Sequence, residues 1–296
     1  MVRKKLLRKL FLTTLVLFIM ITVYSVPMTK KENVLRTNFE IEDITSIHTD
    51  SIYLKNKNDY FVKSEIFIDS EEIIEKVEKI IHYLTIDTHP LQDGLKGYIP
   101  KNVKLLKVEK ELKEIKLYFS KELLDIHDFE KIVEGIVYSL TEQKEIKEVS
   151  FYIEDSPLEQ YQKVTRKIGI NKEYSFTNRK NLDKVVFYYL DDTGNYYVPV
   201  TKYMDNTEEK IEVILEELKK TKKDLISLEN IHTKLLDYQE EGNVFFLNFN
   251  NELMDENKEA MSKLLQSIAY SIFDNYQVEA VLFEIEDKKF AQIFKE

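Results

Sequence analysis

Self-similarity at a fixed spacing constrains this chain more than any other feature, because a tandem copy dictates two versions of one fold. Residues 115–122 read IKLYFSKE and residues 244–252 read VFFLNFNNE, so that Leu117, Phe119 and Leu123 match Leu247, Phe249 and Leu253. Each is an alternating strand that runs into a helix start. Downstream, KIVEGIVYSL at 131–140 resembles KLLQSIAYSI at 263–272, with Tyr138-Ser139 facing Tyr270-Ser271. Both have helical periodicity. Each copy then closes on a strand, VSFYIED from Val149 and VLFEIED from Val281, aligning Phe151, Ile153, Glu154 and Asp155 with Phe283, Ile285, Glu286 and Asp287. The offset holds at about 130 residues, as a tandem duplication requires.

The front halves correspond more loosely. VVFYYL at 185–190, the turn 191–195 and YYVPVT at 196–201 predict a β-hairpin, with Gly194 able to take positive φ. Residues 52–54 and 60–62, around the polar run 55–59, repeat that theme. An amphipathic helix follows in each copy, on Ile73, Ile74, Val77, Ile80, Ile81 and Leu84 in the first and on Ile211, Ile214, Leu215 and Leu218 in the second. A turn-rich stretch at 87–100 leads to a further strand at 103–108, where the second copy has residues 231–238.

The module therefore reads strand, strand, helix, strand, strand, helix, strand. Its expected class is α+β: two tandem two-layer modules, each a mostly antiparallel sheet with two helices on one face. The expected organisation is a basic tip and apolar segment at 1–26, a polar spacer at 27–46, a first module at 47–155, a basic-leaning linker at 156–181 and a second module at 182–296. The linker has room for a short strand or helix of its own.

Location is read from the N-terminus. Arg3, Lys4, Lys5, Arg8 and Lys9 precede LFLTTLVLFIMITVYSV at 10–26, an uncharged run of 17 residues. That is at the short end of what spans a bilayer and longer than the apolar core of most signal peptides. Val23-Tyr24-Ser25 is a poor cleavage site, so a retained single-pass anchor is favoured over a cleaved signal. The positive flank would stay in the cytoplasm and send the rest outward.

Five basic residues and no acid in the first 26 positions leave −15 on the remainder of a chain whose formal charge is −10. A body this acidic repels phosphate backbones, so nucleic acid is not an expected partner. With no cysteine there is no disulfide, thiol nucleophile, cysteine-ligated zinc or acylated cysteine.

On these residues the sequence resembles the GerM family of bacterial sporulation and germination proteins, whose unit is the GerMN domain. VFYYLDDTGNYYVPVTKYM in the second copy resembles that family's tyrosine-rich opening hairpin and its "VPVT" strand. In the first copy YIPKNVKLLKV resembles its "lp-G-kLlsv" segment, and IKLYFSKELL and IVYSLTEQKEIKEVSFYIED resemble its later strand, helix and closing strand. The first copy lacks the "VPVT" strand and the second lacks the proline-containing turn. The family's cysteine anchor is absent too, so any anchor must be the apolar segment itself. The resemblance implies a non-enzymatic module, related in its compact shape to the ring-building domains of membrane-spanning assemblies and acting between the two membranes of a developing spore.

No catalytic, cofactor-binding or metal-binding residue is assigned. His82, Asp87 and His89 are ligand types, but a helix-end and a loop histidine are commonplace and the second copy has no counterpart. His127-Asp128 followed by Glu130 reads as a helix start before it reads as an acid–base pair. Asp69, Glu71, Glu72, Asp191 and Asp192 are read mostly as solvated faces, since no spacing singles out a carboxyl with a raised pKa. There is no Gly-x-Ser-x-Gly elbow, and six glycines leave no phosphate-cradling loop. Tyr188, Tyr189, Tyr196 and Tyr197 could form a sugar- or peptide-binding surface, but packing on a hairpin is the stronger reading. The functional expectation is a membrane-anchored extracytoplasmic interaction protein that docks to envelope or spore-assembly proteins, with no enzyme activity and no cofactor. The alternative is a peptidoglycan-binding or wall-remodelling protein, which would need a groove near residues 157–181.

Overall fold

A computed structural model describes residues 49–295 apart from 89, 93, 174–181, 206–208, 228–232 and 253–257. The apolar segment at 10–26 and the spacer at 27–46 lie outside the described residues. Among those described, no helix is long and apolar enough to cross a membrane.

The first repeat opens with a hairpin of β1 (Asp50–Lys55) and β2 (Phe61–Ile66). Asn56 closes its turn, its Oδ1 accepting from the N–H groups of Asn58 and Tyr60 at 3.0 Å each. Helix α1 (Ile73–Leu84) follows with the expected apolar stripe, burying Val77, Ile80, Ile81 and Leu84. Strands β3 (Leu105–Glu111) and β4 (Glu114–Phe119) form a second hairpin. Helix α2 (Phe129–Leu140) then crosses over to β5 (Glu148–Ile153), which runs parallel to β4 and ends against the two-residue β6 (Ser156–Pro157).

The second repeat retraces this path with β7 (Leu182–Asp191), β8 (Tyr197–Asp205), α3 (Lys210–Leu218), the short β9 (Leu225–Ile226), β10 (Leu235–Glu241), β11 (Val244–Phe249), α4 (Lys258–Asn275), β12 (Ala280–Ile285) and β13 (Lys288–Phe294). The rear sheets have the same order, β3-β4-β5-β6 and β10-β11-β12-β13. Their central parallel pairs share a register too, Phe119 beside Ile153 and Phe249 beside Ile285.

The front halves depart from the expectation of one sheet per module. Both hairpins enter a single five-stranded sheet, ordered β1-β2-β8-β7-β9, in which the second strands of the two hairpins pair antiparallel. Order and direction around that seam are palindromic, which is how two copies of one hairpin meet about a local two-fold axis. Residues His48–Glu296 accordingly form one compact unit.

The helices also differ from the expected arrangement. Instead of lying on one outer face, α2 packs on both β1 and β5, and α4 on both β7 and β12, so each sits between the shared sheet and its own rear sheet. The cause is in the sequence. Residues 132–140 of α2 are all buried, and a helix apolar on every side needs cover on every side. The run VVFYYL in β7 is likewise buried without alternation, the pattern of a strand covered on both faces.

Between the repeats, residues 156–173 have structure of their own. Beyond β6 they make two single 3-10 turns, and Val164 pairs with Val149 through N–H···O bonds of 2.9 and 2.8 Å. Ile170 is fully buried and exchanges hydrogen bonds with Thr201 of β8.

Candidate functional site

A concentration of hydrogen-bonded polar side chains lies on the seam, where the duplication brings equivalent residues together. Tyr53 of β1 receives Ser139 of α2, whose Oγ accepts the Tyr53 N–H at 2.9 Å. Tyr188 of β7 stands in the same relation to Ser271 of α4, also at 2.9 Å. Each pair is one repeat's first strand tied to its second helix. The two tyrosine hydroxyls then meet at 2.8 Å.

Glu142, just past the end of α2, and Asp274, in the last turn of α4, are the next equivalent pair. Both carboxylates sit at helix C-termini, where the helix dipole disfavours negative charge. Arg166, from the segment between repeats, offsets both. Its Nη1 donates to Glu142 at 2.7 Å and its Nη2 to Asp274 at 2.9 Å, and its guanidinium carbon lies 4.2 Å from the Tyr138 ring centre. Tyr53 also donates to Glu142 at 2.9 Å and Tyr188 to Asp274 at 2.7 Å.

Charge states follow from this enclosure. Burial opposes the Glu142 charge, but Arg166 and then Lys63 outweigh it and hold the carboxyl at about 2. Burial, followed by the Glu142 charge, pushes the Tyr53 hydroxyl well above its ordinary range, and burial with the Asp274 charge does the same to Tyr188. Lys184 is pushed down to about 8 by burial, although Asp274 opposes the shift. Glu142 is therefore an anion throughout the physiological range and cannot act as a general acid there. The carboxylates and hydroxyls of the cluster are paired with one another and with the Arg166 Nη atoms, and the arrangement is that of a clasp.

Within the described part of the junction, residues 157–173, Arg166 fills the contact where a wall-active protein would need a groove; residues 174–181 lie outside the described residues. A shallow depression of about 260 Å³ lies to one side, lined by Asp50, Ser51, Lys76, Glu142, Gln143 and Glu145 among others. Asp50 already accepts from Lys76 at 2.8 Å and from Gln143 at 3.1 Å.

The structure disperses the residues weighed from sequence. His82 is exposed at the end of α1, Asp87 pairs with Lys101 at 3.3 Å, and His89 lies outside the described residues. Among the described residues no group of three His, Cys, Asp or Glu side chains could hold a metal ion. Asp128 occupies the N-cap of α2, but its carboxylate reaches Lys131 at 3.4 Å and leaves the helix N–H groups alone. Glu130, in the first turn, binds Lys172.

Asp191 is an exception among the carboxylates read as solvated. It is 1% exposed and caps the β7–β8 turn, accepting from Thr193 Oγ1 at 2.8 Å and from the N–H groups of Asn195 and Tyr196 at 3.1 and 3.2 Å. Tyr188 and Tyr189 are buried, whereas Tyr196 and Tyr197 are half-buried. Arg166, Glu142 and Asp274 were not singled out from sequence. The signal available was the repeat itself, which places Glu142 and Asp274 each four residues beyond the tyrosine of the matched Tyr-Ser pairs.

A family model described as "Germane: Sporulation and spore germination" matches residues 51–159 and 186–290, one segment in each repeat. The chain belongs to this Germane family. Its fold agrees with a solved structure of the tandem GerMN domains of the sporulation protein GerM from Bacillus subtilis. The two share 23% identity at a TM-score of 0.70, over 81% of this chain and 92% of that one. The first GerMN domain of the same protein, solved alone, matches 40% of this chain at 21% identity, 98% of its own length and a TM-score of 0.37. No curated protein sequence matches the chain. Both Germane segments contribute to the clasp, the first through Tyr53, Ser139 and Glu142 and the second through Tyr188, Ser271 and Asp274. Arg166 comes from between them.

Proposed function

We propose that this chain is a non-catalytic docking protein of spore formation or germination, held outside the cytoplasm by its apolar segment at 10–26 and binding envelope-assembly proteins through its exposed surfaces. The observation that carries this reading is the seam. Two Germane segments share one sheet and one charge cluster, and the paired groups of that cluster favour a rigid double module over a reactive site. Rigid spacing of two similar surfaces suits a scaffold, because a preorganised pair of modules binds without first paying to order itself.

The test is crosslinking of the full-length chain in cells passing through sporulation, followed by mass spectrometry of the captured species. Capture of septal or spore-envelope membrane proteins is the expected result. Capture of wall fragments alone, or of nothing at any stage, overturns the reading and favours a peptidoglycan-binding role.

A further inference from the structure

The two rear sheets share an order but differ at their edges. In the first repeat α1 packs against β3, which like β10 is a mostly exposed outer strand, whereas the opposite edge stops at Pro157, which has no N–H, and Val164 covers the start of β5. Short strands, prolines and covering segments are the usual means of closing a sheet edge. Among the described residues the second repeat lacks these at β13, a seven-residue strand without proline. Lys295 donates its N–H inward to Glu279 at 2.8 Å, so the alternation of an antiparallel ladder turns the N–H and C=O groups of Phe294 and Gln292 outward. At the other edge β10 pairs, among the described residues, with β11 alone, and most of its residues are exposed.

These edges are complementary in charge and in apolar surface. β10 carries Asp237, Glu240 and Glu241, and β13 carries Lys288 and Lys289. Each also exposes one large apolar side chain: Leu236 on β10, thrown out by a register shift between Leu235 and Asp237, is 55% exposed, and Phe294 on β13 is 66% exposed. We infer that β13 of one copy pairs antiparallel with β10 of a second copy of this chain, joining copies head to tail through the second repeat.

Antiparallel pairing sets Lys288 and Lys289 beside Glu240 and Glu241 and brings Phe294 to Leu236. Neither like-with-like pairing does this. β10 against β10 places the acidic end beside Leu235 and Leu236, and β13 against β13 places Phe294 beside lysines. The acidic bodies repel at long range, but at physiological ionic strength that repulsion is screened beyond about 8 Å while pairs in contact persist. A head-to-tail contact leaves one free edge at each end, so the assembly is a chain of copies unless the rotation between them closes it. The inference is independent of which envelope proteins the double module binds.

The absence of cysteine makes the test clean. β10 and β13 are three strand spacings apart in one sheet, about 14 Å, so cysteines on the two strands cannot bridge within a copy. The full-length chain carrying Leu236→Cys and Phe294→Cys together, oxidised in intact cells, is expected to give a ladder of covalent dimers, trimers and longer species. Co-production of the two single variants is expected to give dimers only, and each single variant alone no crosslink. Lys288→Glu with Lys289→Glu should remove the ladder, and adding Glu240→Lys with Glu241→Lys should restore it. Crosslinking of a single variant by itself, or no ladder from a double variant whose melting temperature is unchanged, overturns the inference.

Discussion

Tyr53 and Tyr188 occupy equivalent positions in the opening strands of the two repeats, and their hydroxyls meet at 2.8 Å on the seam between them. Each backbone N–H is held by the serine of its own repeat, Ser139 or Ser271. The symmetry ends at Arg166, of which there is one. A single guanidinium serving two equivalent carboxylates makes the seam dependent on the segment between the copies.

Arg166→Ala should therefore be among the most damaging substitutions in the chain. It leaves Glu142 and Asp274 half-buried near each other at two helix C-termini with no guanidinium between them. Breaking a fully buried ion pair from one side costs about 3–5 kcal/mol, and this half-buried cluster should lose somewhat less. Arg166→Lys should recover only part of this, because an ammonium cannot fork between two carboxylates. Urea unfolding midpoints of the three proteins decide the matter, and an alanine variant within about 1 kcal/mol of the parent would remove the clasp from the account.

The same cluster fixes two features of the pH profile. Glu142 is held at about 2 against an ordinary 4.5, so the unfolded chain binds the extra proton as pH falls. Its stabilisation, about 3 kcal/mol, is present above pH 5 and lost progressively towards pH 2. Lys184 behaves oppositely. Its folded value of about 8 lies below the ordinary 10.5, so between those values the unfolded state holds more protons and stability rises with pH. Lys184→Met should abolish the rise from pH 8 to 9.5, below the range of tyrosine titration, and leave the acid limb intact. Thermal melts of both proteins from about pH 2 to 9.5 check the two limbs.

How much of this was legible in the sequence depends on what each element buries. Helix α1 is amphipathic, and its period fixes it at Ile73–Leu84, the span its apolar residues mark. The matched strands β4, β5, β11 and β12 were equally readable, since alternation and repetition pointed to the same residues. The sharing of the front sheet was not. Periodicity shows that a strand is buried but not which copy buries it, and Val62 joins the second repeat's core while its neighbour Phe61 joins the first. The unbroken apolar run of β7, and the run of α2 interrupted only by Glu134, Gly135 and Ser139, were the sign that these elements are covered on both sides. Arg166 was hidden for a further reason: it lies outside the repeat, so no internal comparison marks it.

Gly135 tests how tightly α2 is enclosed. A glycine inside a helix ordinarily costs about 1 kcal/mol relative to alanine, so Gly135→Ala on an open helix would stabilise. Here an added Cβ would lie 2.5 Å from Tyr98 Cζ and 2.7 Å from Phe61 Cε1, against rings that are themselves buried. Overpacking of that kind costs about 1–3 kcal/mol and should reverse the sign. A higher melting temperature for Gly135→Ala would show that the rings move aside and that the layer is looser than its contacts imply.

Asn171 carries the last prediction, because it completes the seam where the backbone cannot. β8 contains Pro199, which has no N–H to give, and the ladder between β2 and β8 consists of the single pair Lys63 and Tyr197. The Asn171 side chain closes the gap. Its Nδ2 donates to the carbonyls of Phe61 and Pro199 at 2.8 and 2.7 Å, and its Oδ1 accepts the Phe61 N–H at 3.0 Å. Asn171→Leu strands one donor and two acceptors in a partly buried position, at a cost of about 1–3 kcal/mol. The loss should be local first: amide exchange at Phe61 should speed up by at least tenfold while amides in the rear sheets keep their protection. Uniform acceleration across both repeats would instead mean that the seam and the cores open together, and that the two modules have no separate stability.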